Sequence, residues 1–203
     1  MSETLTSNRK QELINTAAQL FKQKGFASTS MRDLAAEIGM EAASLYHHIK
    51  SKDELLEVIC FDLAGKLTTA IAEVNDIYFN AEDKLRMAIK NHVEILTQNI
   101  HFSTVFIQDW RHLTEPKLTE FRALRDAYEQ GMRVIVQEGK NEDIFDDVDE
   151  KFAALTILST LNWINEWYNP TGKMNAEQIA QKLSDFILGG LRKKLVTDIN
   201  YKP

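Results

Sequence analysis

A single cysteine, Cys60, stands among the 203 residues. It excludes an intrachain disulfide framework and any cysteine-cluster zinc site, and it suits a reducing cytoplasm. Proline occurs only three times and glycine eight times, too few for a turn-rich all-β fold, a collagen-like repeat or low-complexity disorder. No apolar run reaches the roughly 18 residues of a membrane span. The best candidate, Phe152 to Ile164, is shorter and is broken by Thr156, Ser159, Thr160 and Asn162. Met1 to Lys10 is polar and does not read as a signal peptide. There is no phosphate-binding glycine loop and no nucleophile–base motif, so no catalytic residue is expected. Of the five histidines, His47 and His48 are adjacent and diverge on a helix, and His92, His101 and His112 lack metal-ligand spacing. Neither a metal nor a cofactor is expected.

What is present is the balance of a globular protein, 44% apolar and 27% charged residues. The net charge is −6, but it is unevenly spread. Residues 1–54 hold seven basic and seven acidic side chains, and the deficit falls on residues 55–203, with 17 basic against 23 acidic. A DNA contact made by the first part alone is compatible with that distribution.

Helical punctuation runs from end to end. Ser7 can cap a first helix with the stripe Leu13, Ile14, Ala17, Leu20 and Phe21, ended by Gly25. Ser30 with Asp33 forms a capping box for a second, short helix stopped by Gly39. A third runs from about Glu41 to His48, and Ser51 with Glu54 opens a long fourth toward Tyr78. Asn80 with Asp83 starts a fifth, to about Ile100; Phe102 to His112 reads as a sixth. A seventh follows Pro116, at a first-turn position, and runs to Glu138 before Gly139. Asn141 to Asp147 is a loop, an eighth helix covers about Val148 to Tyr168, and Asn169–Gly172 breaks the chain. Asn175 with Gln178 caps a ninth, ending near Lys194. The expectation is an all-α fold of about nine helices, with a first unit at residues 1–54 and a larger one at 55–203.

The segment Met31 to Tyr46 has the grammar of a helix–turn–helix. Ala35 is small enough for two helices to cross closely, Gly39 supplies the turn, and Leu34, Ile38, Met40 and Leu45 fill the core between them. Such a unit offers the N-terminal half of its second helix to the DNA major groove. The alternative is an ordinary helical hairpin within a bundle.

The flanks add more. Ala17–Ala18–Gln19–Leu20–Phe21, Lys24–Gly25–Phe26, Thr29–Ser30, Leu34–Ala35, Ile38–Gly39, Leu45–Tyr46–His47–His48–Ile49 and Ser51–Lys52–Asp53–Glu54–Leu55 follow in order without a gap. Over about residues 9–60 the sequence resembles the TetR family of bacterial transcriptional repressors. The resemblance implies that Tyr46 and His47 touch phosphates and that Lys52 does so at a helix N-terminus. It implies that Thr29 and Ser30 are hydroxyl donors at helix two, and that Ala42, Ala43 and Ser44 lie where base edges are read. Glu41 departs from the usual Ser or Thr, and Ala42 from a frequent Lys or Arg. Glu41 either accepts from a cytosine amino group or serves the helix N-terminus electrostatically.

In the resembled family the larger unit holds an effector pocket, and the last two helices pair in a homodimer. Phe152 and Leu155 on the eighth helix, with Leu183, Phe186 and Ile187 on the ninth, suit a four-helix interface; the alternative is that these stripes are intrachain core. Phe102, Phe106, Trp110, Arg111, Tyr128, Met132, Trp163 and Trp167 are candidates for pocket walls, or else core aromatics. The motifs Asp109–Trp110–Arg111–His112–Leu113, Arg125–Asp126–Ala127–Tyr128–Glu129 and Leu161–Asn162–Trp163 with Trp167 to Gly172 are similar to a subgroup regulating fatty-acid, steroid or aromatic-acid catabolism. Members of that subgroup often respond to acyl-coenzyme A thioesters. Arg111, Arg122 and Arg125 could then meet a phosphate or carboxylate, or simply form ion pairs. The expected function is a cytoplasmic, homodimeric repressor on a palindromic operator in double-stranded DNA, released by a small hydrophobic effector such as an acyl-CoA. A cationic drug or other small hydrophobe is the second choice of effector, and a helical adaptor or lipid carrier without DNA binding is the alternative from another class.

Overall fold

The computed structural model describes residues 2–193, with side chains from Arg9 onward. The chain runs through α1 (Ser2–Lys24), α2 (Met31–Glu37), α3 (Ala42–Leu45), α4 (Lys52–Asp76), α5 (Ala81–Gln98) and α6 (Ile100–Gln108). A 3-10 turn (Trp110–His112) follows, then α7 (Lys117–Asn141), α8 (Glu150–Asn162), α9 (Ile164–Trp167) and α10 (Ala176–Leu191). No strand occurs among the described residues, only one isolated bridge between Phe145 and Arg192. With α8 and α9 counted as one broken helix, the architecture is the expected nine-helix all-α fold.

The capping chemistry explains most of these boundaries. Ser30 and Asp33 form a reciprocal capping box, as do Asn175 and Gln178. Ser51 accepts from the Glu54 N–H, while the Glu54 carboxylate takes the N–H of Lys50, one residue earlier than a capping box requires. Gly25 and Gly39 end α1 and α2 at φ of +82° and +64°, a region costly for any residue with a Cβ.

Several boundaries differ from expectation. The first helix begins at Ser2, and the side chain of its expected cap, Ser7, lies outside the described residues, as does the expected end of the last helix at Lys194. The third helix is a single turn, because Glu41 makes no side-chain cap bond and Tyr46 to His48 continue only as turns. The eighth starts after Asp149, whose carboxylate accepts from the Phe152 N–H, and breaks at Trp163. Gly139 does not end α7. It lies buried inside the helix, where the ring of Phe145 packs onto it.

One continuous apolar core runs from Leu13 to Leu191. The long α4 contacts α1, α5, α6 and α7, so it packs on the first helix and on the helices of the larger unit alike. α10 packs on α5, joined by Arg86–Asp185 (2.8 Å) and the Arg192–Glu82 pair. The ammonium of Lys84, nearly buried, is satisfied by Glu138 (2.8 Å) and the Asn75 carbonyl (3.1 Å).

Gly139 supplies the stability prediction. A Cβ there would collide with the ring of Phe145, whereas a Cβ at Gly65 within α4 meets nothing within 4 Å. Urea denaturation of Gly139→Ala is expected to lose about 1–3 kcal/mol through overpacking. Gly65→Ala is expected to gain about 0.5–1 kcal/mol through helix propensity. Equal effects would contradict the assignment of Gly139 to a packing role.

Candidate nucleic-acid interface and effector cavity

The helix–turn–helix stands on fully buried Leu34, Leu45 and Ile49. The Ser30 hydroxyl, with the Ser30 backbone N–H (2.8 Å), holds the Asp33 carboxyl down to about 2. Outward from this base, Ser30, Arg32, Glu41, Ala43, Tyr46, His47 and Lys50 are exposed, and Ala42 and Ser44 are half-buried. Seven of the nine residues suggested for DNA contact are among these, at least partly open to solvent.

The other two do something different. Thr29 is 2% exposed, and its hydroxyl donates to the Gly25 carbonyl at 2.9 Å. Lys52, the first residue of α4, sends Nζ to the carbonyls of Phe26 (3.0 Å), Ala27 (3.3 Å) and Thr29 (3.1 Å). An ammonium has three protons to donate, and three carbonyls of the α1–α2 turn take them. The same ammonium lies 4.5 Å from the centre of the Phe26 ring. Lys52 is a clasp on the turn that introduces α2, a role in addition to any attraction its charge exerts on a phosphate.

Phe26 continues the chain of contacts. Its ring meets Phe21 edge-on at 5.1 Å and lies 5.3 Å from the ring of His112. His112 closes the 3-10 turn that Trp110 opens. Trp110 in turn packs against Phe121, 5.7 Å away, and the guanidiniums of Arg111 (4.6 Å) and Arg125 (4.4 Å) lie over its ring. Burial, then the charge of Arg111, lowers the pKa of Arg125. The carboxylates of Asp126 and Glu129 act on Arg125 in the opposite direction.

Trp110 is also part of a cavity of about 240 Å³. Ala64 and Leu67 of α4, Phe106 and Ile107 of α6, and Leu155 and Leu158 of α8 give it apolar walls. His92 of α5 and Tyr128 of α7 lie in it, with Nδ1 and the phenol oxygen 2.9 Å apart. Ser159 and Asn162 add polar atoms, and Arg122, Arg125, Asp126 and Glu129 line the α7 side. Burial pushes the His92 imidazole down to about 4, opposed by the Asn162 side chain, and pushes the Tyr128 phenol up.

Of the pocket residues suggested from sequence, Phe106, Trp110 and Tyr128 line this cavity. Phe102 and Met132 are buried in the core away from it, and Arg111 reaches it only through Trp110. Trp163 and Trp167 are 64% and 43% exposed and line no part of it. They extend an outer face of α8 and α9 that includes Phe152 (71% exposed) and Leu155. Phe186 of α10 is 79% exposed, Leu183 is half-buried, and Ile187 faces inward as part of the chain's own core. The important residue that sequence reasoning missed in the cavity is His92. Its signal was its place in the α5 stripe Leu85, Ala88, Ile89, His92, Val93 and Leu96, which turns an imidazole toward the core.

With this geometry in view, comparison with known proteins is decisive. Residues 13–59 match the family described as bacterial regulatory proteins, tetR family, and residues 79–191 match the tetracyclin repressor-like C-terminal domain. This chain belongs to the TetR family. It is therefore a DNA-binding transcriptional regulator and not an enzyme, which also removes the adaptor alternative. It is 30% identical over 189 residues to the HTH-type transcriptional repressor KstR2 of Mycolicibacterium smegmatis, covering 91% of both chains. Among solved structures, the TetR family regulator PfmR from Thermus thermophilus is 33% identical with a TM-score of 0.80, covering 89% of this chain and 99% of that one. AibR, solved in complex with isovaleryl coenzyme A and operator DNA, is 26% identical with a TM-score of 0.77, over 88% and 97% of the two chains. No described helix is long and apolar enough to cross a membrane.

The buried imidazole makes stability depend on pH. His92 binds a proton near 6.5 when unfolded and near 4 when folded. The unfolded chain therefore takes up the proton first as pH falls. The native state keeps its full advantage above pH 6.5 and loses it progressively down to pH 4, by at most roughly 3 kcal/mol. His92→Gln removes this component. Urea midpoints at pH 7 and pH 4.5 are expected to converge toward wild type at the lower pH; a pH-independent difference between the two proteins contradicts the assignment.

Proposed function

We propose that this TetR-family protein is a homodimeric repressor of the cytoplasm whose two helix–turn–helix units, formed within residues 1–54, bind a palindromic operator. Residues 55 onward carry the effector cavity and the dimer face. In this reading Ser30, Ala42, Ala43, Ser44, Tyr46 and His47 meet the duplex, with Glu41 turned toward base edges, and Thr29 and Lys52 hold the turn beneath them. Two units one helical turn of DNA apart, roughly 34–36 Å, require a partner chain. The exposed Phe152, Leu155 and Phe186 suit that pairing because solvent is an unfavourable neighbour for large apolar side chains.

The observation that carries the proposal is the position of Trp110. It lines the cavity, and the 3-10 turn it opens ends in His112, which packs on Phe26 at the foot of the reading unit. An effector that displaces Trp110 shifts His112 and so acts on the turn held by Lys52. The coupling works in both directions, because effector and DNA affinity must change by the same factor.

An acyl-CoA fits this site better than a cationic drug. A cavity of about 240 Å³ is below the roughly 300–1,000 Å³ of whole-ligand pockets, so it takes the acyl end and leaves the nucleotide outside. There Arg111, Arg122 and Arg125 offer positive charge to phosphates. KstR2 is named a repressor and AibR is a coenzyme A thioester binder on operator DNA, which supports the same reading.

Fluorescence anisotropy with DNA from upstream of the protein's own gene tests the proposal. An acyl-CoA is expected to weaken binding between about 5- and 150-fold, the range of 1–3 kcal/mol couplings. Arg125→Ala is expected to abolish the response while keeping affinity for DNA. Release by cationic dyes but by no acyl thioester overturns the effector assignment. A monomer at concentrations that saturate the DNA overturns the dimer.

A further inference from the structure

The deepest polar group of the cavity has no role in the coupling described above. His92 is 1% exposed, yet its Nε2 has no hydrogen-bond partner. Its other nitrogen is occupied by Tyr128, whose phenol oxygen lies 2.9 Å away and which is itself 8% exposed. Around the pair Ala64, Leu67, Phe106 and Leu158 form apolar wall and Ser159 and Asn162 add polar atoms; the Asn162 side chain favours the protonated imidazole but makes no hydrogen bond to Nε2. A core packed only for stability has no use for a polar atom without a partner, since buried polar groups are almost always paired.

Counting protons gives the chemistry of the missing partner. At neutral pH the imidazole is uncharged and the phenol is protonated, so two protons serve three atoms: Nδ1, Nε2 and the phenol oxygen. One proton makes the bond between Nδ1 and the phenol. If Tyr128 donates to Nδ1, the second proton sits on Nε2. If Nδ1 donates to Tyr128, the second proton is the phenol's own. The donor left without an acceptor is Nε2–H in the first tautomer and the phenol O–H in the second, where Nε2 presents a bare lone pair. A carboxylate is a poor answer to it, because neither member of the pair carries charge and the arginines lining the cavity, Arg122 and Arg125, stand beside the carboxylates of Asp126 and Glu129.

We propose that the His92–Tyr128 pair is the specificity element of the cavity and takes one uncharged acceptor oxygen, of the ketone or ester-carbonyl type, carried on the otherwise apolar end of the ligand. This rests on the cavity being the effector site and adds the chemistry that the effector's buried end must have. A purely hydrocarbon acyl chain leaves the pair unpaired and binds more weakly. Sites built to hydrogen-bond a polar group discriminate strongly against analogues lacking it.

The test uses the full-length protein and two probes of nearly equal shape, cyclohexyl methyl ketone and isopropylcyclohexane. Calorimetric titration is expected to show the ketone binding about tenfold more tightly. In protein labelled with 15N in its histidine rings, the ketone is expected to shift the His92 ring-nitrogen resonances, directly at Nε2 or through the Tyr128 phenol bonded to Nδ1, and the hydrocarbon to leave them in place. In the double variant His92→Leu/Tyr128→Phe, which places apolar side chains on an apolar wall, the preference is expected to disappear. Equal affinity of both probes for the wild type, or a ketone preference that survives in the double variant, overturns the role of the pair and leaves the cavity a ligand site. Binding of neither probe to the wild type overturns both the pair and the cavity as a ligand site. If the double variant does not fold, the wild-type resonance decides alone: no shift with ketone contradicts the proposal.

Discussion

Three backbone carbonyls on one ammonium hold the reading unit in register with the rest of the molecule. The turn between α1 and α2 points the oxygens of Phe26, Ala27 and Thr29 toward a single place, and Lys52 at the start of α4 fills it. A cation is electrostatically disfavoured at a helix N-terminus; here it is turned back onto carbonyl oxygens, and Asp53 and Glu54 supply the acidic first turn instead. Because α4 continues into the core of the larger unit, any tilt of that helix acts on the turn leading into α2.

The second link to the turn arrives through aromatic rings. Phe26 is packed by Phe21 from α1 and by His112 from the far side. The 3-10 turn carrying His112 also carries Trp110, and Trp110 is braced by Phe121, which meets Phe61 and Phe106 as well. The clasp and the ring contacts therefore converge on Phe26 from two directions. Close-packed interiors transmit a displacement rather than absorb it, so a ligand in the proposed effector cavity would have a short mechanical route to the proposed DNA-reading surface.

Much of this was legible in the sequence. Capping pairs such as Ser30–Asp33, the left-handed Gly25 and Gly39, and the periodic stripes are local signals, and they determine helix number and order. The break at Trp163 was not legible, because the apolar period runs through Leu161, Ile164 and Tyr168 without a proline or glycine. Nor was the difference between Trp110 and Trp163: periodicity identifies a face, but not which neighbour covers it. Lys52 was readable as a phosphate ligand from its helix position. Its carbonyl partners, 23 to 26 residues upstream, become visible only once the turn has a shape. His92 stood on an apolar stripe, so its burial was legible, but its bond to Tyr128 across to α7 was not.

The account stands or falls on Lys52 as a clasp. Lys52→Met keeps the aliphatic stem over Phe26 and removes the three donors. Amide hydrogen exchange at Ala27–Ser30 should then accelerate by at least about tenfold, with DNA affinity falling and the exchange of α5 and α10 unchanged. Unaltered exchange at that turn, with DNA affinity lowered only as one lost phosphate contact would lower it, would contradict the account and return Lys52 to the role of a simple surface charge.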